Sequence, residues 1–220
     1  MNKICGDLDP LKVIGRARGY SKKEIIQTLP RHSKYTPLLL KQLEIQSEVA
    51  LRNSGTQFAK KIIKMMREIS MEAYRAKQFT RTEINNRGVL YGVVMLKHKV
   101  IDLVLNYFHK RWPQCVICLY NEHTHSTTVI NEKGQIHELD LSLEKTVDLI
   151  SKTRPVIPYF EDIQFLSEEI FEELYKSQFI TERENKPFFK KMIPDHCFQL
   201  PGMRSGVEKR FRNKRLDDFY

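Results

Sequence analysis

The chain contains no apolar run long enough to cross a membrane. Its longest runs, such as Cys115 to Tyr120, fall far short of the roughly 18 residues a spanning helix needs. The opening Met1-Asn2-Lys3-Ile4-Cys5-Gly6-Asp7 lacks the apolar core of a signal peptide. Glycine and proline are sparse, nine each in 220 residues, which excludes collagen-like and low-complexity chains. Cysteine is sparse too. Cys5, Cys115, Cys118 and Cys197 form no repeating framework, so we read them as reduced thiols of an intracellular protein, cytoplasmic or nucleoid-associated. The phosphate-binding, dinucleotide-binding, zincin and nucleophile-elbow patterns are all missing, so the sequence does not advertise an enzyme. What it does contain is 41% hydrophobic and 29% charged residues, enough for a packed core in one medium domain or two small ones.

Charge is unevenly distributed. Residues 1–100 carry 20 basic and 8 acidic side chains, net +12. Residues 101–203 carry 11 and 16, net −5, and residues 204–220 carry 6 and 3, net +3. This asymmetry points to a polyanion-facing N-terminal half and tail.

Punctuation and periodicity define three parts: a helical segment over 1–55, an α+β domain over 56–203 and a basic tail over 204–220. Asp9-Pro10 caps a first helix that ends near Gly19. Ser21-Lys22-Lys23-Glu24 is a capping box for a second, ending near Leu29-Pro30. Thr36-Pro37 opens a third, with Leu39, Leu43 and Ala50 facing inward, that ends before Asn53-Ser54-Gly55. Three short helices with a glycine turn are compatible with helix-turn-helix. The third, however, begins Pro37-Leu38-Leu39-Leu40 where base-reading side chains would be polar, which favours a plain helical subdomain.

From Phe58 to Phe79 the pattern is that of a long amphipathic helix. Phe58, Ile62, Met65, Ile69, Ala73 and Ala76 form its apolar stripe. Lys60, Lys64, Arg67 and Arg75 form a basic ridge that Lys77 and Arg81 extend, opposed only by Glu68 and Glu72. After the turn at Asn85-Asn86-Arg87-Gly88 come a strand (Val89 to Met95), a helix (Lys99 to Lys110) and three strands (Cys115 to Tyr120, Thr127 to Asn131, Gln135 to Leu139). The expected fold is therefore α+β. N-terminal helices and the long basic helix pack with a small, mainly antiparallel β-α-β-β-β sheet. A short helix over Ser142 to Ser151 and a further C-terminal helix from Ser167 complete it.

Few constellations carry obvious chemistry. Cys115 and Cys118 lie three apart in a strand pattern, so they face opposite ways and cannot share a metal. His123 and His125 share a face and could bind zinc or iron with a third ligand such as His137 or Cys197. Asp195-His196-Cys197 places an acid, a base and a thiol in a row, though neighbours in sequence usually diverge in space. In the tail, Arg210, Arg212, Lys214 and Arg215 continue the positive charge, and Phe211, Phe219 and Tyr220 could stack on bases.

Several stretches taken together resemble a known family. They are Glu72-Ala73-Tyr74-Arg75-Ala76-Lys77-Gln78-Phe79-Thr80-Arg81, Leu90-Tyr91-Gly92-Val93-Val94 and Lys97-His98-Lys99-Val100-Ile101-Asp102. They continue with Tyr107-Phe108-His109-Lys110-Arg111, Val116 to Asn121, Gly134 to Leu139, Glu182-Arg183-Glu184-Asn185 and Met192-Ile193-Pro194. Over residues 58–200 their order is similar to that of bacterial uncharacterised "putative DNA metabolism (repair)" proteins. Those occur alone or fused to a uracil-DNA glycosylase domain, often encoded beside a radical SAM protein. The resemblance implies a role in DNA repair and an enzyme partner such as a radical SAM protein, and it supplies no catalytic residues.

The sequence thus leads to one main expectation. The chain should bind nucleic acid, DNA ahead of RNA, through Lys60, Lys64, Arg67, Arg75, Lys77, Arg81 and the tail. It should carry no resident metal or cofactor. Two alternatives are a metal-dependent or Cys/His hydrolase using His123, His125, His137 or Cys197, and a protein-interaction subunit using the acidic middle.

Overall fold

Ser21 caps the first helix among the described residues. Its side chain accepts from the Glu24 amide while the Glu24 carboxylate accepts from the Ser21 amide, the reciprocal capping the sequence implied. The computed structural model describes residues 20–158, 187, 188, 191, 193 and 195–200. The first expected helix, the helix from Ser167 and the basic tail lie outside the described residues. Two compact units emerge, one of residues up to Gln78 with Leu96–Val104, the other of Phe79–Met95 with residues from Leu105 onward.

In the first unit, α1 (Lys22–Thr28) runs into a 3₁₀ turn (Leu29–Arg31). The expected third helix is in fact two, α2 (Pro37–Ile45) and α3 (Glu48–Arg52). The chain breaks at Gln46, which is extended, and Ser47 caps α3 by accepting from the Ala50 amide. Lys22 closes the end of α2 by donating to the carbonyls of Glu44 at 2.7 Å and Gln46 at 2.9 Å. The break shifts the helical phase, so Leu51 is buried and Ala50 only half-buried. The long helix α4 (Gln57–Phe79) spans the expected segment and buries Ile62, Met65, Ile69 and Ala73 from the expected stripe. Ile25, Leu29, Leu43, Leu51, Ile62 and Met66 are buried together in one core. That shared burial is what holds these short helices, each too short to persist alone.

The second unit holds one five-stranded sheet in the order β1-β2-β3-β4-β5. Its strands are β1 (Thr82–Ile84), β2 (Val89–Val94), β3 (Val116–Asn121), β4 (Ser126–Ile130) and β5 (Ile136–Leu139). Only β2 and β3 are parallel; every other pair is antiparallel. A parallel pair needs a crossover, and the helix α5 (Ile101–Arg111) lies in that connection. β1 was not expected. It is three residues long, pairs among the described residues with β2 alone, and is anchored by a turn that Asn85 organises. The Asn85 side chain accepts from the amides of Arg87 and Val89 and donates to the Ser151 hydroxyl at 2.8 Å.

Alternation along the strands makes two apolar faces. Val89, Val116, Cys118 and Val129 form one, covered by Leu143, Val147 and Ile150 of α6 (Leu143–Lys152). Leu90, Ile117, Leu119 and Ile130 form the other and are also buried. Gly92 has no room for a side chain: a Cβ there would sit 2.6 Å from the Arg81 carbonyl oxygen.

Candidate functional site

Three segments of the first unit converge on one polar cluster. His32 follows the 3₁₀ turn, in extended backbone, because Pro30 favours a short turn there and ends helix α1. Glu68 projects from the middle of α4. His98 sits in the loop before α5. One ligand atom from each lies within 4.8 Å of those of the other two, and this is the one such group of three among the described residues.

The His32 ring is buried at 2% exposure, and its Nε2 lies 2.8 Å from Glu68 Oε2, whose side chain is 44% exposed. The Lys34 amide donates to His32 Nδ1 at 3.0 Å. A backbone amide always carries its hydrogen, so Nδ1 is the acceptor and Nε2 carries the ring proton. His32 therefore donates to Glu68. That hydrogen bond is the chief cause holding the Glu68 carboxyl below its ordinary value; burial opposes it, and electrostatic interaction with His32, Lys64 and His98 adds to it.

His98 stacks beside His32 with ring centroids 4.3 Å apart and a 32° tilt. The Ser33 amide donates to His98 Nδ1 at 3.2 Å. Burial, with the charges of His32 and Lys97, pushes the His98 imidazole down to about 4, against the opposing pull of Glu68. His98 is therefore neutral at pH 7.

The loop bearing His98 is clamped on two sides. Glu72, one turn beyond Glu68, accepts from the amides of Lys97 at 3.0 Å and His98 at 2.7 Å. Arg31 donates to the Lys99 carbonyl at 2.9 Å and makes a two-point pair with Asp102 at 2.6 and 2.8 Å, while its own carbonyl accepts from the Lys99 amide at 2.8 Å. The two acidic residues of the basic helix thus bond to the His32 ring and to the 97–98 backbone.

The basic residues of α4 divide. Lys60, Lys64 and Arg67 are exposed; Arg75 and Lys77 are half-buried. At 3.6 residues per turn, Lys77 faces a different side from Lys60, Lys64, Arg67 and Arg75. Arg81 lies beyond the end of the helix, in the second unit. Arg210, Arg212, Lys214 and Arg215 lie outside the described residues.

The expected histidine site does not assemble as a strand face. His123 and His125 stand in the four-residue turn between β3 and β4, where His125 adopts the left-handed conformation with φ 56°. A turn does not alternate faces as a strand does, so the premise that both histidines point the same way fails. His137 lies on β5 opposite Val129. None of these three belongs to a group of potential ligands among the described residues. Cys197 is buried beside Ile193, with Phe79 and Phe198 packed against them. His32, Glu68 and His98 escaped sequence reasoning because no motif spacing links them. The available signal was the pair Glu68 and Glu72, four apart in an otherwise basic helix.

An α+β chain with two imidazoles and a carboxylate gathered beside a long basic helix defines a class by fold and donor set. The family comparison goes one step further: residues 32–200 match the domain of unknown function DUF4130, and the chain belongs to that family. Comparisons with curated proteins and with solved structures gave no match.

Proposed function

We propose that the protein is a metal-dependent enzyme of hydrolytic type, with a divalent transition metal held by His32, Glu68 and His98. The observation that carries this reading is the convergence of two histidines and a glutamate, with ligand atoms within 4.8 Å of one another, from three separate segments. Three protein ligands of this kind with a position left for water are the usual makeup of a catalytic zinc site, and two histidines with one carboxylate also suit non-haem iron. When bound, such a metal supplies an activated water at neutral pH. The residues contribute the rest. His32 is fixed by burial, His98 is neutral as a ligand must be, and Glu68 is ionised and reachable from solvent. Lys64, one turn before Glu68, adds positive charge beside it and favours an anionic substrate.

The test is metal content of the full-length protein after equilibration with zinc, manganese or ferrous iron. About one equivalent is expected in the wild type. Affinity should fall at least about tenfold in Glu68→Gln and His98→Ala, as loss of a ligand implies. Absence of metal, or equal metal in the variants, would dismiss the centre.

A second reading, nucleic-acid binding, is favoured by a separate observation. Lys60, Lys64 and Arg67 are exposed within two turns of α4, while Glu68 and Glu72 are engaged by His32 and by the 97–98 backbone. At 1.5 Å per residue the row is about 10 Å long and can follow a phosphate backbone. DNA repair and a radical SAM partner come to this reading from the family resemblance, not from the charges. Lys60→Glu with Lys64→Glu should weaken binding to a short duplex or single strand by at least about tenfold at low salt. An unchanged mobility shift would remove the reading and leave the metal centre untouched.

A further inference from the structure

We infer that metal entry at this centre reverses the hydrogen-bond polarity of its two imidazoles and thereby releases the Ser33 and Lys34 amides, making the 32–34 turn a metal-responsive segment. The inference rests on the proposed metal centre and concerns how that centre is coupled to the fold.

The starting point is the proton on each ring. Both histidines accept a backbone N–H at Nδ1, His32 from Lys34 at 3.0 Å and His98 from Ser33 at 3.2 Å. Both rings are therefore held in the tautomer that carries its proton on Nε2. For His32 that proton is already in use, donated to Glu68 Oε2 at 2.8 Å.

A metal needs the lone pair of the nitrogen it binds. On His32 the nitrogen facing Glu68 is Nε2, the one that carries the proton. For Nε2 to become a ligand, its proton must leave, and a neutral ring must carry one on Nδ1 instead. No proton is gained or lost by the ring overall; it passes through solvent from one nitrogen to the other. Nδ1–H would then face the Lys34 N–H, two donors at a hydrogen-bond distance with no acceptor between them. One of the two must move, and the ring is held by metal and burial, so the amide yields.

His98 reaches the same end by either route. If Nε2 takes the metal, Nδ1 gains the proton and repels the Ser33 amide. If Nδ1 takes the metal, its lone pair is no longer available to that amide. In both cases the Ser33 N–H loses its acceptor. Metal-bound histidines ordinarily donate their second N–H to a carbonyl or carboxylate. Here both second nitrogens face donors, so the site as folded is set for the metal-free state.

The two affected amides are consecutive, and they belong to the turn that carries His32. The turn lies between clamps that the metal does not touch, the Arg31 pairing with Asp102 on one side and the Tyr35 amide bonded to the His32 carbonyl at 2.9 Å on the other. The change is therefore confined to Ser33 and Lys34.

The experiment uses the full-length protein with zinc alone as the probe. Backbone amide exchange at Ser33 and Lys34 and the long-range imidazole ¹⁵N spectrum are recorded with and without one equivalent. Zinc stoichiometry is measured on the same samples and on Glu68→Gln. The expected result is at least about tenfold faster exchange at both amides on zinc binding. Buried-helix amides of α4 should stay protected, and the His32 proton should move from Nε2 to Nδ1. If one equivalent of zinc binds, is lost in Glu68→Gln, and both amides keep their protection, the coupling is wrong and the metal centre stands. If no zinc binds, or Glu68→Gln binds it equally well, the metal centre and the coupling both fall.

Discussion

Glu72 holds His98 by its backbone, not by its ring: the carboxylate accepts the His98 amide at 2.7 Å and the Lys97 amide at 3.0 Å. One side chain thereby fixes a loop on which a cluster residue stands, and it does so from the same face of α4 that presents Glu68. A carboxylate is required for this because both oxygens act as acceptors.

This relationship predicts the behaviour of Glu72→Gln. The amide group can accept only one of the two backbone N–H groups and turns a donor toward the other. The loop should loosen while α4 and the core of the first unit persist. Zinc affinity is expected to fall by about 10- to 100-fold, the range for groups that orient ligands without being ligands. Zinc titration paired with a thermal melt checks it, and full affinity in a folded Glu72→Gln protein would show that Arg31 alone places the loop.

The long helix and four of the five strands were legible because each carries its own period. Ile62, Met65, Ile69 and Ala73 recur at helical steps, and Val89 to Val94 and Val116 to Asn121 are rich in β-branched and apolar residues. β1 was not legible, since Thr82-Glu83-Ile84 has too few residues to show alternation and owes its state to pairing with β2. The break at Gln46-Ser47 was missed because Ser47 reads equally well as a polar position within a continuous helix. His32 and Glu68 are 36 residues apart, so their contact is a product of packing and leaves no mark in local sequence. The histidines that did look clustered, His123 and His125, stand in a turn and belong to no group of three potential ligands among the described residues.

Gly92 makes a second prediction, in the other unit. On β2 it stands opposite Thr82 of β1, and a methyl group there would meet the Arg81 carbonyl oxygen at 2.6 Å and Thr82 Cγ2 at 3.3 Å. The first obstacle is backbone and cannot rotate away. Gly92→Ala should therefore displace β1 and destabilise the second unit by about 1–3 kcal/mol, the usual range for forced overpacking. Chemical denaturation of the variant checks this. A midpoint equal to that of the wild type would mean that β1 can shift without cost.

The last prediction concerns the thiol of Cys118. It lies on β3 between β2 and β4 and faces the apolar layer under α6, with Val89, Val116 and Val129 around it. Burial pushes this thiol up to about 12 from its ordinary 9.0. The thiolate is the reactive species, so at pH 8 the folded protein presents about a thousandfold less of it than an open chain does. Alkylation by iodoacetamide at that pH should be negligible at Cys118 in the native state and rapid after unfolding. The linkage has a definite sign. The folded state holds its proton where the unfolded chain has begun to lose it, so this contribution to stability is complete below pH 9. It declines steadily as the pH rises from there toward 12. Cys118→Ala should remove that alkaline dependence while leaving a small void in the layer; Cys118→Ser should cost about 1–3 kcal/mol by placing a hydroxyl among valines. Mass spectrometry of the alkylated peptide, with and without denaturant, provides the check. Labelling of native Cys118 at the rate of the unfolded chain would place the thiol at the surface and overturn both the packing of α6 on β3 and the alkaline loss derived from it.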